Sequence, residues 1–150
     1  MRATTVRDLY VSTPKGPRKH GEIMKTSEGE LILVRFLSEL DKMRIYNAFA
    51  LNPSALIECE RDGVKTLVIH NSSDNTFRSI PIKDLRGLLD GKIRSGKKLV
   101  WRATWGGGPT LYIKDEAFKI LKDKDTVVSE PTYLQEKLRL SIKECQLTLI

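Results

Sequence analysis

The chain has 150 residues, 40% of them hydrophobic and 30% charged, which supports one folded domain and excludes a wholly disordered chain. Lys and Arg outnumber Asp and Glu by 26 to 19, so the protein is basic. Two cysteines and two histidines are too few for a disulfide scaffold and argue against a metal centre, and we expect no cofactor. No apolar run approaches the roughly 20 residues of a membrane span, and we expect a cytoplasmic protein.

The first third of the chain is predicted to contain a short strand, a loop and a helix. β-forming residues within 1–11 predict the strand, while two prolines and two glycines within 12–21 predict an irregular basic loop. Apolar residues then recur at steps of three and four, which predicts a helix over 30–50. The alternative is a strand over 31–37 followed by a shorter helix.

Strand signals dominate the middle of the chain. Two β-rich runs, 54–60 and 64–70, flank an Asp-Gly pair, and this pattern predicts a hairpin. A turn and a strand over 76–80 follow. A short helix is then predicted over 81–90, with Gly91 positioned to end it.

The last third is predicted to be a hairpin followed by two helices. Strands over 98–105 and 109–114 are joined by consecutive glycines, a helix is expected over 116–123, and the last helix begins near 130. The whole pattern predicts an α+β fold, with an antiparallel sheet of four to five strands, helices on one face and a C-terminal amphipathic helix.

The C-terminal segment, 128–150, is predicted to be a helix that follows the main basic α+β domain, 1–127. Its apolar side chains step by three and four residues, the spacing of one helix face. Further leucines lie off this stripe, which favours a helix held by its own domain and by a second subunit, that is, a homodimer; docking on the sheet is the alternative. The predicted dimerisation stripe consists of Leu134, Leu138, Ile142, Cys145 and Leu149.

The positive charge is concentrated in two segments. Residues 1–27 carry six Lys or Arg against two acidic residues, and residues 83–102 carry seven against two. A phosphate backbone is the commonest partner of such clusters, because each neutralised phosphate releases condensed counterions. The alternative is a solvated surface that serves solubility. The side chains predicted to contact phosphates are Lys15, Arg18, Lys19, Lys92, Arg94, Lys97, Lys98 and Arg102.

Trp105 is the candidate for stacking on a base. It ends a predicted strand beside Gly106–Gly108, where burial is usually incomplete. An exposed indole near basic side chains suits a sequence-tolerant single-strand binder, because every base offers a π-face. Phe77 and Tyr112 are weaker candidates, and packing within the sheet is the alternative for all three. In the same strand, Trp101 is assigned to the core face because that face has more apolar residues.

Signals for catalysis are sparse. The segment 91–98 nearly matches a P-loop, but Lys98 stands where that pattern needs Ser or Thr. Glu58 and Glu60, two apart on a predicted strand, share one face and could hold magnesium in a nuclease. An exposed sheet face is the plainer reading of this pair. We therefore do not expect an enzyme.

Three features resemble the ThermoDBP family of archaeal single-stranded DNA-binding proteins: the basic loop at 15–19, the segment from Lys92 to Trp105, and the C-terminal leucines. The resemblance implies single-strand binding through a cleft with an apolar floor and basic rims, and dimerisation through the C-terminal helix. The sequence thus predicts a non-enzymatic nucleic-acid-binding protein, with single-stranded DNA favoured over RNA. The alternatives are a protein-interaction module, such as a regulator or inhibitor of viral or mobile-element origin, and a metal-dependent nuclease.

Overall fold

The computed structural model describes residues 1–37, 42–43, 47–91, 98–105, 108–122 and 126–130. These residues form a mostly β protein with two sheets and two helices. The predicted α+β fold, with one antiparallel sheet of four to five strands and helices on one face, is therefore wrong. The predicted dimerisation stripe, from Leu134 to Leu149, lies outside the described residues, as does the predicted C-terminal helix beyond Glu130.

The strands, in chain order, are β1 (Arg2–Thr13), β2 (Gly16–Thr26), β3 (Leu31–Leu37), β4 (Lys42–Met43), β5 (Ala48–Leu51), β6 (Thr66–Asn71), β7 (Thr76–Pro81), β8 (Val100–Trp105), β9 (Gly108–Lys114), β10 (Lys119–Leu121) and β11 (Val128–Glu130). The helices are α1 (Pro53–Asp62) and α2 (Ile82–Asp90). Neither of these helices is long and apolar enough to cross a membrane.

The larger sheet has seven strands in the order β10-β7-β6-β3-β2-β1-β11, and the smaller sheet has four in the order β4-β5-β9-β8. Most neighbours are antiparallel, but β3 pairs with β6, and β1 with β11, in parallel. A parallel pair needs a long crossover connection. Between β3 and β6 that connection contains β4, β5 and α1, which places the smaller sheet and a helix over one face of the larger sheet.

The main hydrophobic core lies between the inner face of the larger sheet, the smaller sheet and the two helices. Leu33 and Leu67 from the larger sheet, Phe49 and Ile113 from the smaller one, and Leu85 from α2 are at most 1% exposed. A second buried cluster lies on the outer face of the larger sheet and includes Met24, Ile32, Val34 and Val68. The larger sheet is therefore apolar on both faces along much of its length, as a largely buried sheet is.

A long hairpin of β1 and β2 replaces the irregular loop predicted over 12–21. Only Pro14 and Lys15 form its turn, and Gly16 follows with φ at +106°, a conformation that glycine adopts without strain. Pro17 is tolerated in β2 because β3 pairs only with the later part of that strand, from Glu22 to Lys25. Proline is found where a strand has a neighbour on one side only.

The helix predicted over 30–50 is wrong. Residues 31–37 form β3, as the alternative interpretation has it, and 48–51 form β5. The apolar residues that match a helical period are also the side chains of a strand with apolar groups on both faces. Ile32, Leu33 and Val34, three in a row, are each at most 2% exposed, which a strand between two layers requires.

The strand predicted over 54–60 is instead helix α1. Asn52 caps it, because its side-chain Oδ1 accepts the backbone N–H of Ser54 at 2.9 Å, and Pro53 occupies the first turn. Gly63 ends it in the left-handed conformation, with φ at 76°. The Asp-Gly pair is thus a helix end rather than the turn of a hairpin.

Some of the remaining predicted elements are present in the structure, and others are not. β6, β7, α2, β8 and β9 lie where they are predicted, with small shifts of their ends. The helix predicted over 116–123 is wrong, because a short 3-10 turn at Asp115–Ala117 leads into β10. The last helix is predicted to begin near 130, but Val128–Glu130 form β11, in which Ser129 pairs with Ala3.

Candidate nucleic-acid interface

A cleft of about 380 Å³ opens where the rim of the larger sheet meets the smaller sheet. Residues from β1, β2, β3, β5 and β9 contribute to its wall, and we name it the basic cleft. Among the described residues that line it, three are cations and none is a carboxylate. The lining residues are Val11, Thr13, Arg18, Lys19, His20, Arg35, Phe36, Leu37, Ala50, Asn52 and Thr110.

A bulge in β2 places His20 at this cleft. Leu9 pairs with Gly21 and Tyr10 with Lys19, so His20 is the extra residue without a partner in β1. A bulge bends its strand and redirects the side chain it carries. The β1–β2 ladder has a second register shift between Thr5 and Arg7, so it is interrupted at two places.

Gly21 is required at the base of the bulge because β3 approaches it closely. A Cβ atom built at this position would lie 2.7 Å from the carbonyl oxygen of Val34 and 3.1 Å from the side chain of Leu33. A contact under 3 Å with backbone cannot be relieved by a side-chain rotation, so the residue is restricted to glycine. The bulge is thus held against β3.

His20 is a neutral hydrogen-bond acceptor inside the cleft wall. Its Nε2 accepts the Nε–H of Arg35 at 3.0 Å and the backbone N–H of Asn52 at 3.1 Å. Burial, and secondly the charge of Arg35, lower the pKa of His20 to about 3. The ring is therefore neutral at pH 7 and its single proton resides on Nδ1.

The cations of the cleft differ in their surroundings. Arg18 and Lys19 are exposed on β2, and Arg35 is half-buried on β3. Lys19 also contacts Asp8 at 3.4 Å and Glu22 at 3.0 Å, and the hydrogen bond to Glu22 is the main cause that raises its pKa. Two carboxylates outside the lining therefore partly balance Lys19.

A row of rings lies on the outer face of the larger sheet beside the cleft. Phe36 packs edge-on against His70, with ring centroids 5.8 Å apart, and His70 stacks on Phe77 at 4.2 Å. These three residues come from β3, β6 and β7, which are neighbours. Phe36 is 49% exposed, and Tyr10 on β1, paired with Lys19, is 57% exposed. Two aromatic side chains thus face solvent near the basic cleft.

The structure brings together only part of the predicted phosphate contacts. Arg18 and Lys19 line the cleft, and Lys15 is exposed at the turn of the same hairpin. Lys98 precedes β8 and is half-buried, and Arg102 is exposed on β8. The other three predicted contacts, Lys92, Arg94 and Lys97, lie outside the described residues.

Trp105 is the last residue of β8 and pairs with Gly108; its side chain is outside the described part of the chain. The seven steps from Lys98 to Trp105 correspond to about 20 Å along an extended strand, so Lys98 lies far from this end of the hairpin. Thr110, two residues beyond Gly108, lines the basic cleft. Strand β9 therefore reaches the basic cleft at Thr110.

The other aromatic candidates pack within the sheets. Phe77 is 9% exposed under His70, and Tyr112 is 8% exposed beside Trp101, with ring centroids 5.5 Å apart. The predicted core face of β8 is wrong, because Val100 is fully buried in the main core and Trp101 lies on the opposite face. The inner face accepts the smaller β-branched side chain, while the indole pairs with a ring of β9.

The carboxylate pair considered for magnesium lies on a helix. Glu58 and Glu60 are two residues apart on α1, which turns them about 200° away from each other. Glu58 contacts Arg7 at 3.1 Å, and Glu60 binds Arg86 of α2. Among the described residues no group of three or more potential metal ligands occurs. The shared face on which the magnesium hypothesis depends is absent from α1.

The buried thiol of Cys59 does not resemble a nucleophile. Burial, above all, raises its pKa to about 12, so the side chain is protonated at neutral pH. A thiol with a raised pKa in apolar surroundings is inert. Cys59 therefore acts as a small apolar group of the core.

No protein-family model, curated protein or solved structure matches this chain. The resemblance to the ThermoDBP family accordingly stays a prediction.

Proposed function

We propose that this protein binds single-stranded nucleic acid without acting on it as an enzyme. Phosphates would contact the basic cleft, and bases would stack on the exposed rings of Tyr10 and Phe36. One observation supports the proposal above all. At one rim of the larger sheet, a cleft lined by three cations lies beside two exposed aromatic side chains.

The charge of the cleft supports an anionic ligand. Arg18, Lys19 and Arg35 come from neighbouring strands and line one cavity, which contains no carboxylate among its described lining residues. Like charges placed together repel one another, and an anion bound in the cavity would reduce that repulsion. A phosphate backbone provides that anion, and its release of counterions adds to the affinity.

The rings support a single strand rather than a duplex. Phe36 is backed by His70, which is stacked on Phe77, so its ring is held by packing rather than free to collapse. A base must leave its pair to stack on such a ring, and a single strand presents its bases without that cost. Every base has a π-face, so we expect weak sequence preference.

Fluorescence anisotropy with labelled single-stranded DNA and RNA oligonucleotides tests this proposal. Phe36→Ala should weaken binding about 5- to 150-fold, because stacking contributes about 1–3 kcal/mol per base. Ile57→Ala is the matched control, since Ile57 is 60% exposed on α1 and does not line the cleft. The same titration with Trp105→Ala tests the predicted stacking role of that residue.

Two results would overturn the proposal. If the wild-type protein binds neither oligonucleotide at low salt, the nucleic-acid function is wrong. If a duplex of the same sequence binds as tightly as the single strand, and Phe36→Ala matches Ile57→Ala, the rings do not stack on bases. Melting temperatures of the variants show whether any loss reflects unfolding.

A protein-interaction module is the second candidate, favoured by one observation. Val6, Tyr10 and Phe36 are each about half exposed, and exposed apolar groups on strands are also typical of protein interfaces. Dimerisation through the C-terminal stripe remains a prediction of the sequence, and light scattering on the full chain tests it.

A further inference from the structure

We propose that one unpaired base of the single strand enters the gap between β2 and β3 and binds, through its Watson–Crick edge, to the backbone N–H and C=O of Phe36. This inference rests on the proposed nucleic-acid function and adds a means of selecting single strands. It depends on where the β2–β3 ladder ends, on the direction of the backbone groups of β3, and on the cavity between the two strands.

The ladder between β2 and β3 stops before the end of β3. Its last pair is Glu22 with Val34, whereas on the other side β3 pairs with β6 as far as Leu37. The bulge at His20 lies next to this point, and a bulge bends the strand that contains it. Beyond Val34, β3 therefore has a described ladder partner on one side only.

The backbone groups of Phe36 point toward this gap. In a β-strand the N–H and C=O of one residue face the same neighbour, and those of the next residue face the opposite neighbour. The carbonyl of Leu37 accepts the backbone N–H of Ser72, which follows β6, at 2.8 Å. Phe36 therefore presents its N–H and C=O to the side of β2, where no residue in the described parts of the chain is its ladder partner.

A cavity of about 220 Å³ lies between the two strands at this point. Its described lining consists of Lys19, His20, Gly21 and Phe36. All of these except Gly21 also line the basic cleft, so the two spaces adjoin. The volume is far above the roughly 15 Å³ that one water molecule needs, and the gap therefore admits a larger group.

An unpaired base matches the hydrogen-bonding groups of this gap. Phe36 is the last residue of β3 that faces β2, so the strand presents one donor and one acceptor there. An added peptide strand would use an alternating series of such pairs. The Watson–Crick edge of a base carries a donor and an acceptor side by side, and this edge is free only in a single strand.

The ring and the backbone of Phe36 serve different bases. The ring packs edge-on against His70 on the outer face of the sheet, whereas the N–H and C=O point along the sheet toward β2. One base therefore binds between the strands while a neighbouring base stacks on the ring. Phe36→Ala removes the second contact and keeps the first.

Two 12-residue oligothymidylates test the inference, one unmodified and one methylated at N3 of every base. The methyl group removes the N3–H donor of the Watson–Crick edge but keeps the phosphates and the π-face. Fluorescence anisotropy should show that the methylated strand binds about tenfold more weakly, because the carbonyl of Phe36 loses its donor. Phe36→Ala should weaken the binding of both strands and preserve the ratio of their affinities.

Amide hydrogen exchange followed by NMR locates the contact. The Phe36 amide should exchange rapidly in the free protein and become protected by the unmodified strand but not by the methylated one. The amide of Val34 is the control, since Val34 lies within the ladder with β2 and should be protected throughout.

The outcomes separate this inference from the proposed function. Equal affinity for the two strands, or a Phe36 amide that exchanges slowly in the free protein or stays unprotected in the complex, would overturn the inference and leave the proposed function standing. If neither strand binds, the proposed function fails, and exchange at Phe36 with thymidine and with N3-methylthymidine decides the site alone.

Protection by thymidine only would then support a site for the edge of a base, and protection by neither nucleoside would overturn it. Protection by an extended peptide of alternating Thr and Val, but by neither nucleoside, would mark a strand-addition site and would also overturn the inference.

Discussion

Arg35 and Arg78 lie in one row across the inner face of the larger sheet, on either side of Ile69. Arg78 is 7% exposed, donates to Asp115 at 2.5 Å and to Thr76 at 2.7 Å, and lies over the ring of Phe49. Arg35, two strands away, donates to a neutral histidine and lines a cleft with two further cations. One arginine therefore joins the two sheets, and the other forms part of the wall of a cavity.

This difference shows why net charge alone does not locate a binding site. A buried cation that meets a carboxylate and an aromatic ring is satisfied within the fold. Arg18, Lys19 and Arg35 instead line one cavity, and Asp8 and Glu22 partly balance Lys19 from outside its lining. A cavity lined by cations from two strands, rather than the net charge of the chain, is therefore the feature that marks a candidate anion site.

The largest expected effect is the loss of stability when the buried Arg78 is replaced. Arg78→Leu should lower the free energy of unfolding by about 3–5 kcal/mol, because removal of one partner leaves a carboxylate in a largely buried position. Arg86→Leu is the matched control: its partner Glu60 is on the surface, and such pairs contribute about 0–1 kcal/mol. Urea unfolding at pH 7 measures both. Equal shifts of the two midpoints would contradict the structural role of Arg78.

The next largest expected effect is a change of protein stability with pH, and it depends on His20, which accepts a hydrogen bond from Arg35. The pKa of His20 is about 3 in the folded protein against 6.5 in the unfolded chain, so the unfolded chain binds the proton more readily. Stability should therefore fall as the pH falls below about 6.5, by about 3 kcal/mol between pH 7 and pH 4 from this group alone. Burial is the main cause of this lowered pKa, and the charge of Arg35 adds to it.

His20→Gln isolates this contribution, because its Oε1 retains an acceptor for Arg35 and Asn52 but does not titrate in this range. Urea unfolding of the variant and the wild type at pH 7, 5.5 and 4 should show the difference in stability shrinking or reversing as the pH falls. A constant difference across this range would mean that His20 titrates alike in both states.

The smallest expected effect is a change in the salt dependence of binding, which tests whether the cations of the cleft contact the ligand. With four to six phosphates contacted, the log–log slope of single-strand affinity against salt should be roughly −3 to −4, at about −0.7 per phosphate. Arg18→Ala should reduce the magnitude of that slope by about 0.7, and Lys83→Ala should not change it. A slope near zero in the wild type would show that the cations do not contact the ligand.

The sequence predicts the elements whose signals are local. The turn before Thr76, the helix after Pro81 and the hairpin around the glycines at 106–108 each depend on neighbouring residues, and β7, α2, β8 and β9 are where those residues indicate. Helix α1 also has local signals, an Asn-Pro start and a Gly end, but the β-rich composition of 54–60 outweighs them in the prediction. β3 fails as a predicted helix because burial on both faces removes the alternation that identifies a strand.

The sequence predicts two of the cations of the candidate site, but it does not predict the aromatic side chains beside them. Arg18 and Lys19 are found because basic residues cluster along the chain. Tyr10 and Phe36 are not, because their meeting depends on the register of β1, β2 and β3 and on the bulge at His20. No periodicity in one strand reports the register of its neighbour.

The parallel pairing of β1 with β11 has a consequence for folding rate. The register joins Arg2 to Val128, one of the longest separations along the chain, whereas the β1–β2 hairpin closes over a two-residue turn. Contacts between distant residues form slowly because the loop between them must first be closed. We expect the hairpin to form early and β11 to join the sheet late, so that during synthesis the edge of β1 stays unpaired until residue 130 has left the ribosome.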